Sequence, residues 1–143
     1  MKSSNITVII PVKDRINLLH KALNSINNQT LWPKLVIIID DKSSKKIILK
    51  KKYKFNYQIY RNAKNIGVSA SRNKGIKLCK TKYLSFIDTD DIWFKKKLKI
   101  QFDLAERYNL DFVYCNYKTT KFKIKKIENN KDIFKRLINF WSN

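Results

Sequence analysis

Short apolar runs alternate with longer amphipathic segments along the chain. Six runs have the length of a strand, and polar residues or Pro bound them. These predicted strands are Ile6–Ile10, Leu35–Ile39, Asn56–Tyr60, Tyr83–Ile87, Asp111–Asn116 and Lys121–Ile127. The predicted helices are Arg15–Asn28 with Asp14 as its N-cap, Ser43–Tyr53, Val68–Cys79, Phe94–Tyr108, and a last helix that Asn129 or Asn130 caps and that ends at Phe140. Pro33 is expected to break the connection before the second strand.

This alternation of strands and helices predicts an α/β fold. Continuous apolar strands joined by helices favour a mostly parallel sheet with helices on both faces. With 143 residues and 43% hydrophobic residues, the chain is expected to form a single domain with a packed core.

Acidic residues are scarce, and their placement is therefore informative. Five of the eleven acids directly follow predicted strands, namely Asp40, Asp41, Asp88, Asp90 and Asp91. Ligands of parallel sheets bind outside the carboxyl ends of the strands. The acids therefore predict a functional site at that edge.

The stretch Tyr83–Trp93 ends a strand in three carboxylates within four residues. In an extended segment, Asp88 and Asp90 would point to the same side and repel each other unless a cation lay between them. Mg²⁺ and Mn²⁺ prefer such oxygen ligands. The alternative is a solvated acidic turn with Asp91 as the N-cap of the next helix.

Both glycines of the chain, Gly67 and Gly75, lie within the segment Asn65–Gly75. Gly67 stands where a loop becomes a helix, which suits unusual backbone angles or a close ligand. Gly75 lies inside the predicted helix, where we expect close packing on the sheet. Arg72 is one of five arginines, and it would either bind a phosphate through two hydrogen bonds or form an ion pair with Asp88. Neither a GxGxxG nor a P-loop motif is present.

The composition is strongly basic, with 32 Lys and Arg residues and a formal net charge of +21. The surplus suggests nucleic acid, a membrane surface or a phosphorylated substrate as partner, although compositional drift toward Lys would produce it too. No nucleic-acid-binding motif accompanies the charge, so nucleic acid is not the expected partner. Without an apolar run that could cross a bilayer, the expected location is cytoplasmic.

Four stretches, taken in order, resemble the nucleotide-binding half of family 2 glycosyltransferases. They read ITVIIPVKDR, LVIIIDDKSS, NIGVSASRNKGI and YLSFIDTDDIW, and they cover about Ile6 to Leu98. Members of this family have the GT-A fold and transfer a sugar from a nucleotide-sugar donor, usually with inversion. The resemblance therefore implies a Rossmann-like GT-A sheet and glycosyltransferase activity.

The same resemblance implies roles for individual residues. The loop after the first strand and the paired acids after the second would hold the base and ribose, and the Asn65–Gly75 segment would lie near the diphosphate and sugar. The residues implied to contact the nucleotide-sugar are Pro11, Val12, Asp14, Asp40, Asp41, Asn65, Gly67, Arg72, Asp88 and Thr89. Asp88 and Asp90 match the family's DxD motif and would bind a divalent metal, Mn²⁺ or Mg²⁺, chiefly through Asp90.

The sequence departs from the family pattern at several positions. Lys13 and Asp14 stand where an aromatic residue and Asn are common, and Lys42 replaces the usual Gly after the paired acids. Family members carry their catalytic base beyond the DxD half, and no residue of this sequence is assigned to it. We therefore expect the chain to be truncated before the acceptor region.

The expected function is metal-dependent, inverting transfer of a sugar from a UDP-sugar to a glycan or lipid-linked acceptor, in cell-surface polysaccharide biosynthesis. UDP is expected on family grounds, and peripheral membrane contact is compatible with this function. Two alternatives stay open: a non-catalytic fragment that binds a nucleotide-sugar, and a basic protein that binds nucleic acid or a membrane surface.

Overall fold

The computed structural model describes residues 3–116 of the chain. Its elements in chain order are β1 (Ser3–Val12), α1 (Ile16–Asn27), β2 (Trp32–Asp40), β3 (Asn56–Arg61), α2 (Val68–Leu78), β4 (Tyr83–Phe86) and α3 (Lys97–Tyr108). The chain divides into two units, Met1–Val113 and Tyr114–Asn143, and all of these elements belong to the first. The predicted strand Lys121–Ile127 and the predicted last helix lie outside the described residues.

The strands of residues 3–116 form one parallel sheet in the order β3-β2-β1-β4. The chain builds β1, β2 and β3 in one direction and then returns to place β4 on the other side of β1. The strand order therefore reverses between β1 and β4. The expectation of an α/β fold with a parallel sheet is confirmed.

Apolar side chains cover both faces of the two central strands. On one face, alternate residues of β1, such as Val8 and Ile10, pack with Leu19 and Leu23 of α1 in the main buried cluster. On the other face, Ile9 lies in a second cluster with side chains of β2 and α2. The three helices are amphipathic covers of the sheet, and among residues 3–116 none is long and apolar enough to span a membrane.

The predicted helix Ser43–Tyr53 is wrong, because this connection is irregular. A helix over Ser43–Tyr53 would place Lys46 and Lys50 four residues apart on one face, and like charges at this spacing destabilise a helix. The irregular path instead buries Ile47 and Phe55, which are 7% and 6% exposed, against the main cluster.

The predicted cap of α1 is also wrong, and so is the cap that the alternative interpretation of the acidic loop gave to the next helix. Arg15 occupies the N-cap of α1 without a side-chain hydrogen bond, because the Asp14 carboxylate accepts bonds from Ser44 instead. Asp91 forms a turn in which its N–H donates to the carbonyl of Asp88. As a result, α3 begins only at Lys97.

Pro33 lies within β2, although we expected it to break the chain before that strand. It pairs with Ser4, next to an irregularity in the register between Ser4 and Thr7. Because Pro cannot donate a hydrogen bond, such positions near a strand start or a bulge are where sheets tolerate it.

The predicted strand Asp111–Asn116 is absent, because none of these residues has strand structure. Asn109 ends α3 in the left-handed conformation, with φ of 48°. The Val113 carbonyl then accepts a hydrogen bond from the side chain of Gln101 on α3. The segment is thus tied to a helix at this point and does not join a sheet ladder.

Gly75 lies where α2 approaches the sheet most closely. An added Cβ would lie 2.4 Å from Cγ2 of Ile9 in β1, far inside van der Waals contact. The expectation of close packing between helix and sheet is therefore confirmed.

We predict that Gly75→Ala destabilises the protein. Overpacking a core typically costs about 1–3 kcal/mol, and the better helix propensity of Ala returns about 1 kcal/mol. Chemical denaturation should therefore show a net loss of roughly 1 kcal/mol. Asn73→Ala, at an exposed position of the same helix, should be neutral or stabilising, and an equally stable Gly75→Ala variant would contradict the packing argument.

Candidate functional site

Polar side chains gather at the carboxyl ends of the parallel strands. The segments that leave β1, β2, β3 and β4 there carry the acids, amides and arginines that the sequence singles out. A reversal of strand order opens a crevice at this end of a parallel sheet, and in this sheet the reversal lies between β1 and β4. This edge of the sheet is therefore the candidate site.

Asp40 is buried and braces the connections after β2 and β3. Its carboxylate accepts a hydrogen bond from the backbone N–H of Ser43 at 2.8 Å. It also forms an ion pair with the guanidinium of Arg61 at 2.8 Å. The same guanidinium also donates to the Ser43 carbonyl. Asp40 is only 1% exposed, so its carboxylate supports the site from beneath.

Asp41 holds the loop that leads from β3 into α2. Its carboxylate accepts hydrogen bonds from the backbone N–H groups of Ile66 and Gly67, both at 2.8 Å, and from the amide of Asn62 at 2.9 Å. Burial raises the pKa of Asp41, but these bonds and a contact with Ser71 outweigh it and hold the pKa below 3.8. The ionised carboxylate therefore serves as an anchor for the loop.

The loop after β1 is tied to the loop after β2. Asp14 accepts from the backbone N–H and hydroxyl of Ser44 at 2.6 and 2.7 Å, and its own N–H donates to the Ser43 hydroxyl. The two bonds from Ser44 lower the pKa of Asp14. The side chains of Pro11 and Val12 are buried in β1, so these two residues would meet a ligand only through their backbone.

Two residues of these loops adopt the left-handed conformation that favours glycine. Asp14 has φ of 54° and Lys42 has φ of 61°. Asp tolerates this conformation better than most residues. Lys42 is the position where the family pattern has Gly, and its backbone angle gives a steric reason for that preference.

Gly67 is the N-cap of α2, and its backbone conformation explains why this position is a glycine. Its φ is 84°, and no heavy atom lies within 4 Å of the place where a Cβ would be. Backbone conformation therefore selects Gly at this position, and the space beside it is open. Asn65 is exposed two residues earlier and accepts a hydrogen bond from the Gly67 N–H at 3.3 Å.

The acidic loop after β4 presents its carboxylates to solvent. The side chains of Asp88 and Asp90 are 44% and 58% exposed, whereas Thr89 between them is buried. The sequence predicts an extended segment here, whereas residues 89 and 90 form a turn. Both carboxylates nevertheless lie at the surface. Burial, then the charges of Asp88 and Asp90, raise the pKa of Asp91.

Each of the two exposed carboxylates holds an arginine. Asp88 pairs with Arg72 of α2 at 2.5 Å, and Asp90 pairs with Arg15 at 3.2 Å. The Arg72 Nε is buried and has no hydrogen-bond partner among residues 3–116. One role that the sequence suggested for Arg72 was contact with Asp88, and this contact is present. The Nε–H of Arg72 remains without a partner among the described residues.

A divalent cation fits the donor set of this loop, although a ready-made cluster is absent. No group of three or more His, Cys, Asp or Glu residues in the described part of the chain could hold a metal ion. Asp88 and Asp90 nevertheless offer two accessible carboxylates, and Mg²⁺ typically takes one or two carboxylates plus substrate oxygens.

Sequence reasoning missed Arg15, Arg61 and Asn62. The two arginines hold Asp90 and Asp40, and Asn62 links Asp41 to Ser71. The scarcity of Arg, which singled out Arg72, applies equally to the other two arginines. Each of these arginines follows a predicted strand closely, and this signal was available in the sequence.

The chain matches the family model described as Glycosyl transferase family 2 over residues 7–142. It is 37% identical over 133 residues to an uncharacterized glycosyltransferase of Rickettsia felis, a match that covers 90% of this chain and 22% of the relative. The poly(ribitol-phosphate) beta-N-acetylglucosaminyltransferase TarP of Staphylococcus aureus is 31% identical over 118 residues, which cover 78% of this chain and 36% of TarP. The chain thus spans about a fifth to just over a third of the length of these relatives.

Among solved structures, the fold is similar to that of S. aureus TarS residues 1–349. The TM-score is 0.75 at 24% identity, over 85% of this chain and 38% of the TarS chain, in the structure with UDP. The structure of the same TarS segment with UDP-GlcNAc gives the same TM-score. This similarity establishes a GT-A glycosyltransferase fold for the chain.

We predict that Asp41→Asn loosens the loop that begins α2. An amide N–H₂ would face the backbone N–H of Ile66 or Gly67. A buried donor left unsatisfied costs about 1–3 kcal/mol, and these two donors are part-buried, so we expect a loss of about 1 kcal/mol. Because the pKa of Asp41 is lowered in the folded state, its stabilisation is present above about pH 4 and is lost as the pH falls through the folded value. Urea denaturation from pH 7 to pH 3 should therefore show the gap between wild type and variant closing in acid.

Asp103→Asn is the matched control for this series. Asp103 is a half-exposed carboxylate paired with Lys99, and exposed pairs contribute about 0–1 kcal/mol. A variant gap at Asp41 that stays constant down to pH 3 would contradict the assigned role of its ionised carboxylate.

Proposed function

The chain belongs to glycosyl transferase family 2, and we propose that residues 3–116 bind the nucleotide-sugar donor of a glycosyltransferase. The observation that carries this proposal is the pair of exposed carboxylates after β4, Asp88 and Asp90, each of which is paired with an arginine beside the reversal of strand order between β1 and β4. A nucleoside diphosphate with a divalent cation is the ligand whose charges match such a set.

The proposed donor is a UDP-sugar. UDP and UDP-GlcNAc are named as ligands of the TarS structures, and TarP is named as an N-acetylglucosaminyltransferase. These names support UDP as the nucleotide for this chain. A glycan or lipid-linked acceptor in cell-surface polysaccharide synthesis is the corresponding proposal for the second substrate, and a cytoplasmic protein with peripheral membrane contact is the proposed setting.

The loops that follow β1, β2 and β3 would bind the nucleotide. Asp40 and Asp41 are buried and hydrogen-bonded, so their proposed contribution is to hold these loops rigid around the base and ribose. Gly67 leaves open space beside the N-terminus of α2, where backbone N–H groups favour a diphosphate.

Asp88 and Asp90 would hold a Mn²⁺ or Mg²⁺ ion, with Asp90 as the main ligand. When bound, such an ion supplies Lewis-acid stabilisation of the departing diphosphate. In the proposed transfer, an acceptor hydroxyl oxygen bonds to the anomeric carbon with inversion, while the bond from that carbon to the diphosphate oxygen breaks and the diphosphate keeps the electron pair. The hydroxyl proton passes to a base that is not assigned among residues 3–116.

Arg72 would assist the same step from α2. Its pairing with Asp88 fixes one edge of the guanidinium, and its buried Nε has no partner among the described residues. The side chain is 29% exposed, so the guanidinium could also meet a phosphate oxygen, and charge-assisted bonds of this kind are among the stronger ones in proteins. Arg72 is therefore proposed to orient Asp88 and contact the diphosphate.

Calorimetric titration of UDP with and without Mn²⁺ tests the proposal. We predict that binding requires Mn²⁺ and that Asp90→Ala abolishes the metal-dependent part, because this substitution removes the main metal ligand. Asp103→Ala is the control, since its side chain is 45% exposed and lies outside the site. Unchanged metal-dependent binding by Asp90→Ala would contradict the assignment.

The pairing of Arg15 with Asp90 gives a second prediction. The guanidinium must leave Asp90 when a metal ion binds, and an exposed pair is worth about 0.2–1 kcal/mol. Arg15→Gln should therefore strengthen the binding of Mn²⁺ alone by roughly two- to fivefold, measured by electron paramagnetic resonance. Arg107→Gln, at an exposed position near the end of α3, should leave the affinity unchanged, and weaker binding by Arg15→Gln would refute competition for Asp90.

A further inference from the structure

An apolar and basic surface directly follows the acidic loop. Ile92 and Phe94 are 67% and 71% exposed, and Phe94 is the most exposed large apolar side chain among residues 3–116. Lys95 and Lys96 come next and are also exposed. We call residues 92–96 the 92–96 loop.

Hydrogen bonds from the end of α1 fix the backbone of this loop. The Ser25 hydroxyl accepts from the Trp93 N–H at 3.1 Å, and the Gln29 amide donates to the Phe94 carbonyl at 2.9 Å. Ser25 lies on α1 and Gln29 lies two residues after its end, and both side chains are buried. The backbone therefore keeps one orientation, and the exposed side chains cannot turn inward without breaking buried bonds.

The inward positions of this segment are already filled. Trp93 and Leu98 lie in the main buried cluster, and the Thr30 N–H donates to the Lys95 carbonyl at 3.0 Å. The Lys97 ammonium lies 4.1 Å from the centre of the Trp93 ring. Ile92 and Phe94 are thus held outward on a rigid support.

The chemistry of the 92–96 loop matches an anionic lipid surface. Apolar side chains beside lysines are typical of segments that bind in the headgroup region, where the apolar part enters the acyl boundary and the ammonium groups stay with the phosphates. Nucleic acid would use the lysines but gain little from the apolar pair, because phosphate contacts dominate its binding. The net charge of +21 adds long-range attraction to a negative surface.

We propose that the 92–96 loop docks the protein on an anionic membrane surface, with Ile92 and Phe94 inserted at headgroup level and Lys95 and Lys96 against lipid phosphates. The loop follows Asp88–Asp91 directly in the chain. Docking would therefore hold the acidic loop at the lipid surface. This inference rests on the membrane contact of the proposed function, for which it names the surface. It is argued from exposure and backbone geometry and does not depend on donor binding.

Co-sedimentation with vesicles tests the proposal. The chain should bind vesicles of equal parts phosphatidylglycerol and phosphatidylcholine, and should bind pure phosphatidylcholine much less. Ile92→Ser/Phe94→Ser should weaken binding to the anionic vesicles at least tenfold. Lys95→Gln/Lys96→Gln should weaken it by roughly 25-fold, because each lysine near the surface contributes about fivefold.

Matched control variants distinguish binding through the 92–96 loop from general attraction by the protein's positive charge. Ile48 is 67% exposed, like Ile92, and Ile48→Ser should bind like wild type. Lys45→Gln/Lys46→Gln removes an exposed pair elsewhere and should cost about twofold or less. Circular dichroism and thermal unfolding of each variant would verify its fold, and Asp90→Ala should bind vesicles normally even if it loses UDP.

Several results would overturn the proposal. These are no binding of wild type to the anionic vesicles at low salt, equal losses for the two lysine pairs, or no effect of Ile92→Ser/Phe94→Ser. Tight binding to a DNA duplex that survives Ile92→Ser/Phe94→Ser, without vesicle binding, would assign the basic surface to nucleic acid instead.

Discussion

The ionised carboxylate of Asp41 is the interaction on which the arrangement of the site depends. It lies at the end of β2, 4% exposed, and collects hydrogen bonds from the loop that leads into α2. Without it, the part-buried N–H groups of Ile66 and Gly67 and the amide of buried Asn62 would lose this acceptor, and such polar groups are rarely left unpaired in a folded protein. The position of α2, and with it of Arg72, follows from that anchor.

The paired acids after β2 and the acids after β4 have different environments and different roles. Asp40 and Asp41 are buried, and their carboxylates are hydrogen-bonded or ion-paired within the protein. Asp88 and Asp90 are accessible and form ion pairs with arginines at the surface. Buried carboxylates build rigid loops, and accessible carboxylates can exchange a guanidinium for a cation. This division is what a site needs if it is to hold a charged donor on a fixed frame.

Much of the fold was predictable because the strands are continuous apolar runs and Gly75 reports close packing. The sequence pattern failed at Ser43–Tyr53, where helical spacing of apolar residues competes with repulsion among lysines. It also missed the partners of the acids. Arg15 and Asp90 are 75 positions apart, and only the order of the strands, which local patterns do not encode, brings them together.

The central claim is that a metal ion and UDP bind together at the carboxyl ends of β1 and β4. Nuclear magnetic resonance of the isotope-labelled chain with UDP and Mn²⁺ tests it directly, because the paramagnetic ion broadens the signals of nearby amides. The account predicts that residues 88–91 broaden most, and that Trp32 and Lys34, at the opposite end of β2, stay sharp. Broadening centred on Trp32 and Lys34, or UDP binding without broadening at residues 88–91, would contradict it.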